Sequence, residues 1–286
     1  MTLKKAFSFL AFFSISIISF DGYSQKQSPK GSLFIIGGGI RSQKLINKMI
    51  ETANFLPNDY IVVLPMATQE PDTAFKYIDL QFKAATDKKV INLDFDSISV
   101  NDSQKLSLLY SAKLIYIPGG DQNRFMNVVL NTKVYDAIHF AYQNGSTIAG
   151  TSAGAAVMSK YMITGKQLQG DTTYKETFNK LWKNNTEFQE GLGLLDSVII
   201  DQHFIKRSRY NRLISALEAK PNFDCIGIDE STALIVHQNT ASISGESQVI
   251  KFSNMETDGL TGDEKLIKFK DVKMSIYTNG DKFVIK

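Results

Sequence analysis

Several segments of this sequence are apolar at almost every position over the length of one strand, and helical patterns separate them. "SLFIIG" (32–37), "YIVVLPM" (60–66), "KVINLDF" (89–95), "KLIYIPGG" (113–120) and "STIAG" (146–150) are the successive cases. A strand with one wet face alternates apolar and polar residues. A strand with no polar face is covered on both sides, the signature of a parallel sheet between helices. The intervening segments fit. Ile46, Met49, Ile50 and Ala53 recur at helical spacing, and helices are expected over 71–86, 102–112, most of 122–144 and 153–161. The expected fold is therefore α/β, a three-layer α/β/α sandwich around a mostly parallel central sheet. Beyond residue 240 the pattern changes to short alternating strands with Asn-Gly and Asp-Gly turns. "MSIYTNGDKFVIK" (274–286) reads as a β-hairpin. Residues 241–286 are expected to form a small antiparallel extension packed on the domain of residues 32–240.

The first residues stand outside that pattern. Lys4 and Lys5 precede an uncharged, mostly apolar run at 6–20, and Gly22 and Ser24 are small residues at the positions a signal peptidase reads. The run is short for a spanning helix, so residues 1–24 are expected to be a cleaved signal peptide and 25–31 a tail. The alternative is an uncleaved anchor. Export to the periplasm or outside the cell, with no stable membrane insertion afterwards, is the expectation. The formal net charge of +3 is too small to recommend nucleic acid as a partner. One Cys, Cys225, cannot form an internal disulfide, so stability must come from the core.

Residues 150–154 read Gly-Thr-Ser-Ala-Gly, the G-x-S-x-G pattern, after an expected strand and before an expected helix. In that setting the chain turns too tightly for large side chains, and the Ser152 hydroxyl is pushed out at the carboxyl edge of the sheet. The positive end of the following helix would favour negative charge developing there. A Ser hydroxyl needs a base. Of the three His, His139 lies mid-helix among apolar neighbours and His237 at a strand end far from other chemistry. His203 follows the apolar run of "VIIDQHF" and should reach the carboxyl edge where active sites of open parallel sheets gather. An acid should orient the imidazole. "CIGIDESTALIV" supplies Asp229 and Glu230 on opposite faces of one strand end, so one of the two can point at His203.

"GTSAGA", "DQHF" followed by Arg207, Arg209 and Arg212, "GIDE" and "IPGGDQ" together resemble cyanophycinase and the aspartyl dipeptidase family of serine peptidases. That resemblance covers most of 32–240 and implies a class I glutamine amidotransferase-like fold. It implies Ser152 as nucleophile, His203 as base and Glu230 as the orienting acid. The backbone N–H groups of Gly120 and Ala153 would form the oxyanion hole. Gln122, Asp201, Gln202, Arg207, Arg209 and Arg212 would contact substrate. Arg209 and Arg212, three apart on one side of a helix, suit a bidentate grip on a substrate carboxylate. The expected substrate is a peptide or cyanophycin-like polymer with an aspartyl carboxylate. No metal or organic cofactor is expected, and the family suggests a homodimer. Residues 165–190 do not follow cyanophycinase closely, so the chemistry transfers more directly than the substrate. The rival readings are an esterase or amidase with the same triad, and an inactive binding module on this fold.

Overall fold

The computed structural model describes residues 28–171, 173–256 and 264–285. The expected signal peptide, residues 1–24, and residues 25–27 of the tail lie outside the described residues.

Five strands, β1 (Ser32–Ile36), β2 (Ile61–Val63), β3 (Val90–Asn92), β4 (Leu114–Ile117) and β5 (Thr147–Thr151), form the parallel part of an eight-stranded sheet. They lie in the order β1-β5-β4-β2-β3. Alternate residues feed two cores. Phe34, Ile36, Ile61 and Val63 pack with residues of α1 (Gln43–Ala53) and α2 (Pro71–Lys83) on one face. Leu33, Ile35, Val62, Ile115 and Ile117 pack on the other face with residues of α3 (Ser103–Tyr110), α4 (Gln122–Val129) and α5 (Lys133–Gln143). Both faces of β1, β2, β4 and β5 are dry, which accounts for their unbroken apolar sequence, whereas β3, at the sheet edge, is half-buried. The three-layer reading is correct.

Two helices differ from expectation. The helix expected over 122–144 is two helices, because Asn131 takes a left-handed conformation (φ 59°) and the Thr132 hydroxyl then caps α5. The helix expected at 153–161 is α6 (Ala153–Ala156), four residues long. After it the chain is claimed by the "GLGLL" segment. Leu192 N donates to Val157 O at 2.6 Å and Leu195 N to Met158 O at 3.0 Å. The chain then leaves as β6 (Tyr161–Gln167), paired with β7 (Thr186–Glu190).

The strand before His203, β8 (Val198–Gln202), does not join the central sheet. It pairs in parallel with β9 (Asp224–Ile228), across α7 (Tyr210–Ala219), in a second sheet of four strands. A smaller core holds that sheet to α7 through Phe204, Leu213, Leu217, Cys225 and Phe252. The chain then returns to the large sheet as β10 (Thr232–His237), antiparallel to β1, and β11 (Thr240–Gly245).

The C-terminal residues serve both sheets. β12 (Val249–Ser253) and β13 (Lys273–Tyr277) extend the small sheet, whereas β14 (Lys282–Val284) pairs with β11 at the edge of the large one. The hairpin expected at 274–286 is thus corrected. The turn forms, with Thr278 N donating to Asp281 Oδ2 at 2.7 Å, but the two strands diverge to different sheets. Among the described residues no helix is long and apolar enough to cross a membrane.

Candidate active site

Ser152 sits between β5 and α6 with φ 53° and ψ −108°, a conformation that non-glycine residues avoid. The turn is tight enough that a Cβ on Gly150 would run into the Gly154 carbonyl oxygen, which explains the small residues around Ser152. Ser152 N donates to Ile36 O at 3.1 Å and pins the turn to the end of β1.

His203 follows β8 and also has positive φ, 50°. Its N–H donates to Gly37 O at 2.6 Å. The imidazole Nε2 lies 2.8 Å from Ser152 Oγ, and Nδ1 lies 2.7 Å from Glu230 Oε1. A carboxylate accepts only, so a neutral ring carries its proton on Nδ1 and turns the lone pair of Nε2 to the hydroxyl. Burial is the main influence that holds His203 below the ordinary imidazole value. The Glu230 hydrogen bond opposes it, and the Arg207 and Arg209 charges add to it. Asp229 faces the other way. Its Oδ1 accepts from Ile205 N and Lys206 N at 3.0 and 2.9 Å, and its Oδ2 from Ser247 Oγ at 2.6 Å. Of the two acids at this strand end, Glu230, the one the resemblance implies, meets the imidazole, and Asp229 braces the loop carrying it.

The three groups come from two sheets, not one. Ser152 ends a strand of the large sheet, while His203 and Glu230 follow β8 and β9 of the small one. The loop of Gly37, Gly38 and Gly39 after β1 closes the seam between them. A Cβ on Gly38 would fall inside the van der Waals shell of the imidazole, and Gly38 has φ 108°. These glycines were not assigned a role from the sequence, although three in a row directly after a buried strand were the available signal. Gly38→Ala should therefore lower kcat about 100-fold or more by displacing the imidazole, with far-ultraviolet circular dichroism retained. A kcat within threefold of the parent would contradict that geometry.

The other residues fall into place around this line. The backbone N–H groups of Gly120 and Ala153 donate to no protein acceptor among the described residues, and Gly119 and Gly120 lie alongside Ser152. Because α6 has four residues, these free N–H groups, rather than a long helix dipole, are what the turn offers to negative charge. A cleft of about 300 Å³ opens beside Ser152, lined among others by Gln122, Gln202, Arg207, Arg209 and Arg212. Gln122 Nε2 donates to Ile163 O at 3.2 Å. His139 lies apart, its Nε2 2.6 Å from Leu192 O, and His237 lies beside Ser32 and Gly31.

The arginines are not the free forks the helix spacing suggested. Arg209 and Arg212 are 1% and 2% exposed. Arg212 grips the Asp201 carboxylate with two nitrogens, Nε to Oδ2 at 2.8 Å and Nη2 to Oδ1. Asp201 is 1% exposed and does not line the cleft, so it serves the arginines and does not face a substrate. Arg209 donates through Nη1 to the Gln202 carbonyl and side-chain oxygens and through Nη2 to Tyr174 Oη at 2.8 Å. Burial foremost, then the Arg212 charge, pulls Arg209 below the ordinary guanidinium value. Arg207 is partly exposed and reaches Glu176 Oε1 at 3.4 Å.

Tyr174 belongs to the segment between β6 and β7, whose sequence carried no legible signal. Tyr174 gives that segment a place in one wall of the cleft, and its described residues are tied down on both sides. Thr177 Oγ1 donates to Ser208 O and Asn211 Nδ2 to Phe178 O, each at 2.8 Å. Ile267 N donates to Leu181 O at 2.8 Å, so the C-terminal residues brace the same wall.

Known proteins share this framework. The profile of Peptidase family S51 matches residues 33–244. Cyanophycinase of Trichormus variabilis is 33% identical over 219 residues, covering 74% of this chain and 70% of the relative. Cyanophycinase of Synechococcus elongatus is 32% identical over 231 residues, 79% and 69% of the two chains. The crystal structure of a peptidase from an acI-B1 Actinobacterium superposes with a TM-score of 0.67 at 20% identity, over 90% of this chain and 98% of that one. It shares the fold. With its elbow and flanking motifs all inside the matched region, the chain belongs to Peptidase family S51 and is a serine-type peptidase.

Proposed function

We propose that this protein hydrolyses aspartyl peptide or isopeptide bonds by way of an acyl-enzyme on Ser152. The observation that carries the reading is the unbroken line from Glu230 Oε1 through His203 to Ser152 Oγ, 2.7 and 2.8 Å, beside a cleft walled by arginine. Ser152 Oγ attacks the scissile carbonyl while His203 Nε2 takes its proton, and Glu230 stabilises the imidazolium through Nδ1–H. The oxyanion rests on the N–H groups of Gly120 and Ala153, each worth roughly 3 kcal/mol in comparable sites. His203 returns the proton to the leaving amine, and water then releases the acyl group.

The substrate class rests on charge. Two guanidiniums, Arg209 and Arg212, share the single carboxylate of Asp201. A buried cation without a full partner is unfavourable, and an aspartyl carboxylate entering beside Arg209 supplies one. The curated relatives named cyanophycinase make the β-aspartyl–arginine bond a natural member of this class. The test is product analysis with cyanophycin and a panel of α- and β-aspartyl dipeptides, beside a Ser152→Ala control. Hydrolysis of acyl esters with no aspartyl peptide cleaved would refute the reading. Export follows from the basic, apolar and small-residue layout of residues 1–24, and amino-terminal sequencing of protein recovered from the native cell checks it. The homodimer implied by the family is checked by light scattering.

The depressed imidazole predicts the pH profile. A base must be unprotonated, so the acid limb of kcat/KM should fall below the ordinary imidazole value of 6.5. Arg207 disfavours the imidazolium, so Arg207→Gln should move that limb to higher pH. A limb that stays in place or moves to lower pH would show that Arg207 exerts no such field.

A further inference from the structure

Four cations line the cleft, Lys166, Arg207, Arg209 and Arg212, and the chain's own carboxylates neutralise only two. Arg207 pairs with Glu176 and Arg212 with Asp201. Arg209 meets neutral oxygens of Gln202 and Tyr174, with Asp201 Oδ1 3.5 Å away. Lys166 Nζ has no acceptor among the described residues. Asp121 also lines the cleft, but its Oδ1 caps α4, accepting from Asn123 N at 2.8 Å.

The placement of Lys166 is built into β6. Ile163 pairs with Phe188 and Gln167 with Thr186, so four steps along β6 match two along β7. The extra residues form a bulge, a device that re-aims side chains. Thr164 Oγ1 fastens the bulge, accepting from Lys166 N at 3.2 Å and donating to Glu187 Oε2 at 2.5 Å. That bond occupies the carboxylate of the neighbouring strand, and Lys166 is left exposed to the cleft.

The geometry points to a substrate with two carboxylates, one at Arg209 and a second read by Lys166 on the leaving-group side of the scissile bond. It rests on the aspartyl-peptidase reading above and narrows it. The second carboxylate is either the free C-terminus of the released amino acid or an acidic side chain at that residue. Lys166 is a specificity residue that binds through charge, so its loss acts on KM before kcat.

The experiment compares kcat/KM of the full chain on β-aspartyl-leucine and its C-terminal amide, and on the amides of β-aspartyl-glutamate and β-aspartyl-glutamine. The wild type should prefer the acid member of at least one pair by about tenfold, the effect of one charge-assisted contact. The first pair reports a C-terminal carboxylate and the second a side chain. Lys166→Gln should bring that ratio close to one, mostly through KM, and Lys166→Arg should keep it. Equal turnover within both pairs by the wild type overturns the inference alone. A Lys166→Gln variant that keeps the wild-type ratio does the same. Cleavage of none of the four, with Ser152 still labelled by a fluorophosphonate, overturns this inference, and the panel of cyanophycin and α-aspartyl dipeptides then decides the aspartyl reading separately.

Discussion

Replacing Ser152 with Ala should lower kcat by roughly 10⁵- to 10⁶-fold while leaving the chain folded, because in the proposed mechanism the hydroxyl alone forms the bond to the acyl group. The remaining turnover would come from the Gly120 and Ala153 donors and from substrate binding. The same position predicts a stability effect of opposite sense. Ser152 is held at φ 53° and ψ −108°, a strain of about 1–3 kcal/mol that the elbow imposes. Ser152→Gly and Ser152→Ala both lose the contact with His203, but glycine also accepts the turn without strain. The glycine variant should therefore be the more stable of the two by about 1 kcal/mol in urea unfolding. More than a hundredth of wild-type turnover in Ser152→Ala would remove Ser152 from the chemistry. Equal midpoints for the two variants would remove the strain.

Arg212→Met should destabilise the fold by about 3–5 kcal/mol, the cost of leaving a buried charge without its partner. Asp201 is 1% exposed and accepts both nitrogens of the Arg212 fork. With Arg212 gone, its carboxylate keeps only the backbone N–H of Gln202 at 2.8 Å and the more distant Arg209. Adding Asp201→Asn to the variant should recover only part of the loss, since it also takes from buried Arg209 the carboxylate that the two arginines share. Helical spacing alone suggests that Arg212 grips a substrate carboxylate. The burial of Arg212 shifts the main effect to folding, and a loss below 1 kcal/mol in equilibrium unfolding would contradict that.

The reach of the sequence differs between neighbouring residues. The parallel strands were legible because burial on both faces demands unbroken apolar runs, as in Leu33, Phe34, Ile35 and Ile36. The elbow was legible because the crowding that demands Gly150 is local, from the Gly154 carbonyl four residues on, although Gly154 itself is demanded by the Ile117 carbonyl of β4. Tyr174 was not, since its only distinction is a hydrogen bond to Arg209, 35 residues away. The length of α6 was not either, because the segment that stops it arrives from residues 191–195.

The order of strands and helices, the motif residues and their places at strand ends follow from local pattern, since periodicity and steric crowding act between near neighbours. The tertiary structure alone decided that His203 and Glu230 come from a second sheet. It also turned Arg212 onto Asp201 and gave the last two strands to different sheets. Each of these is a choice between partners far apart in the chain, and only packing, which ranks whole arrangements by the surface and charge they bury, can make it.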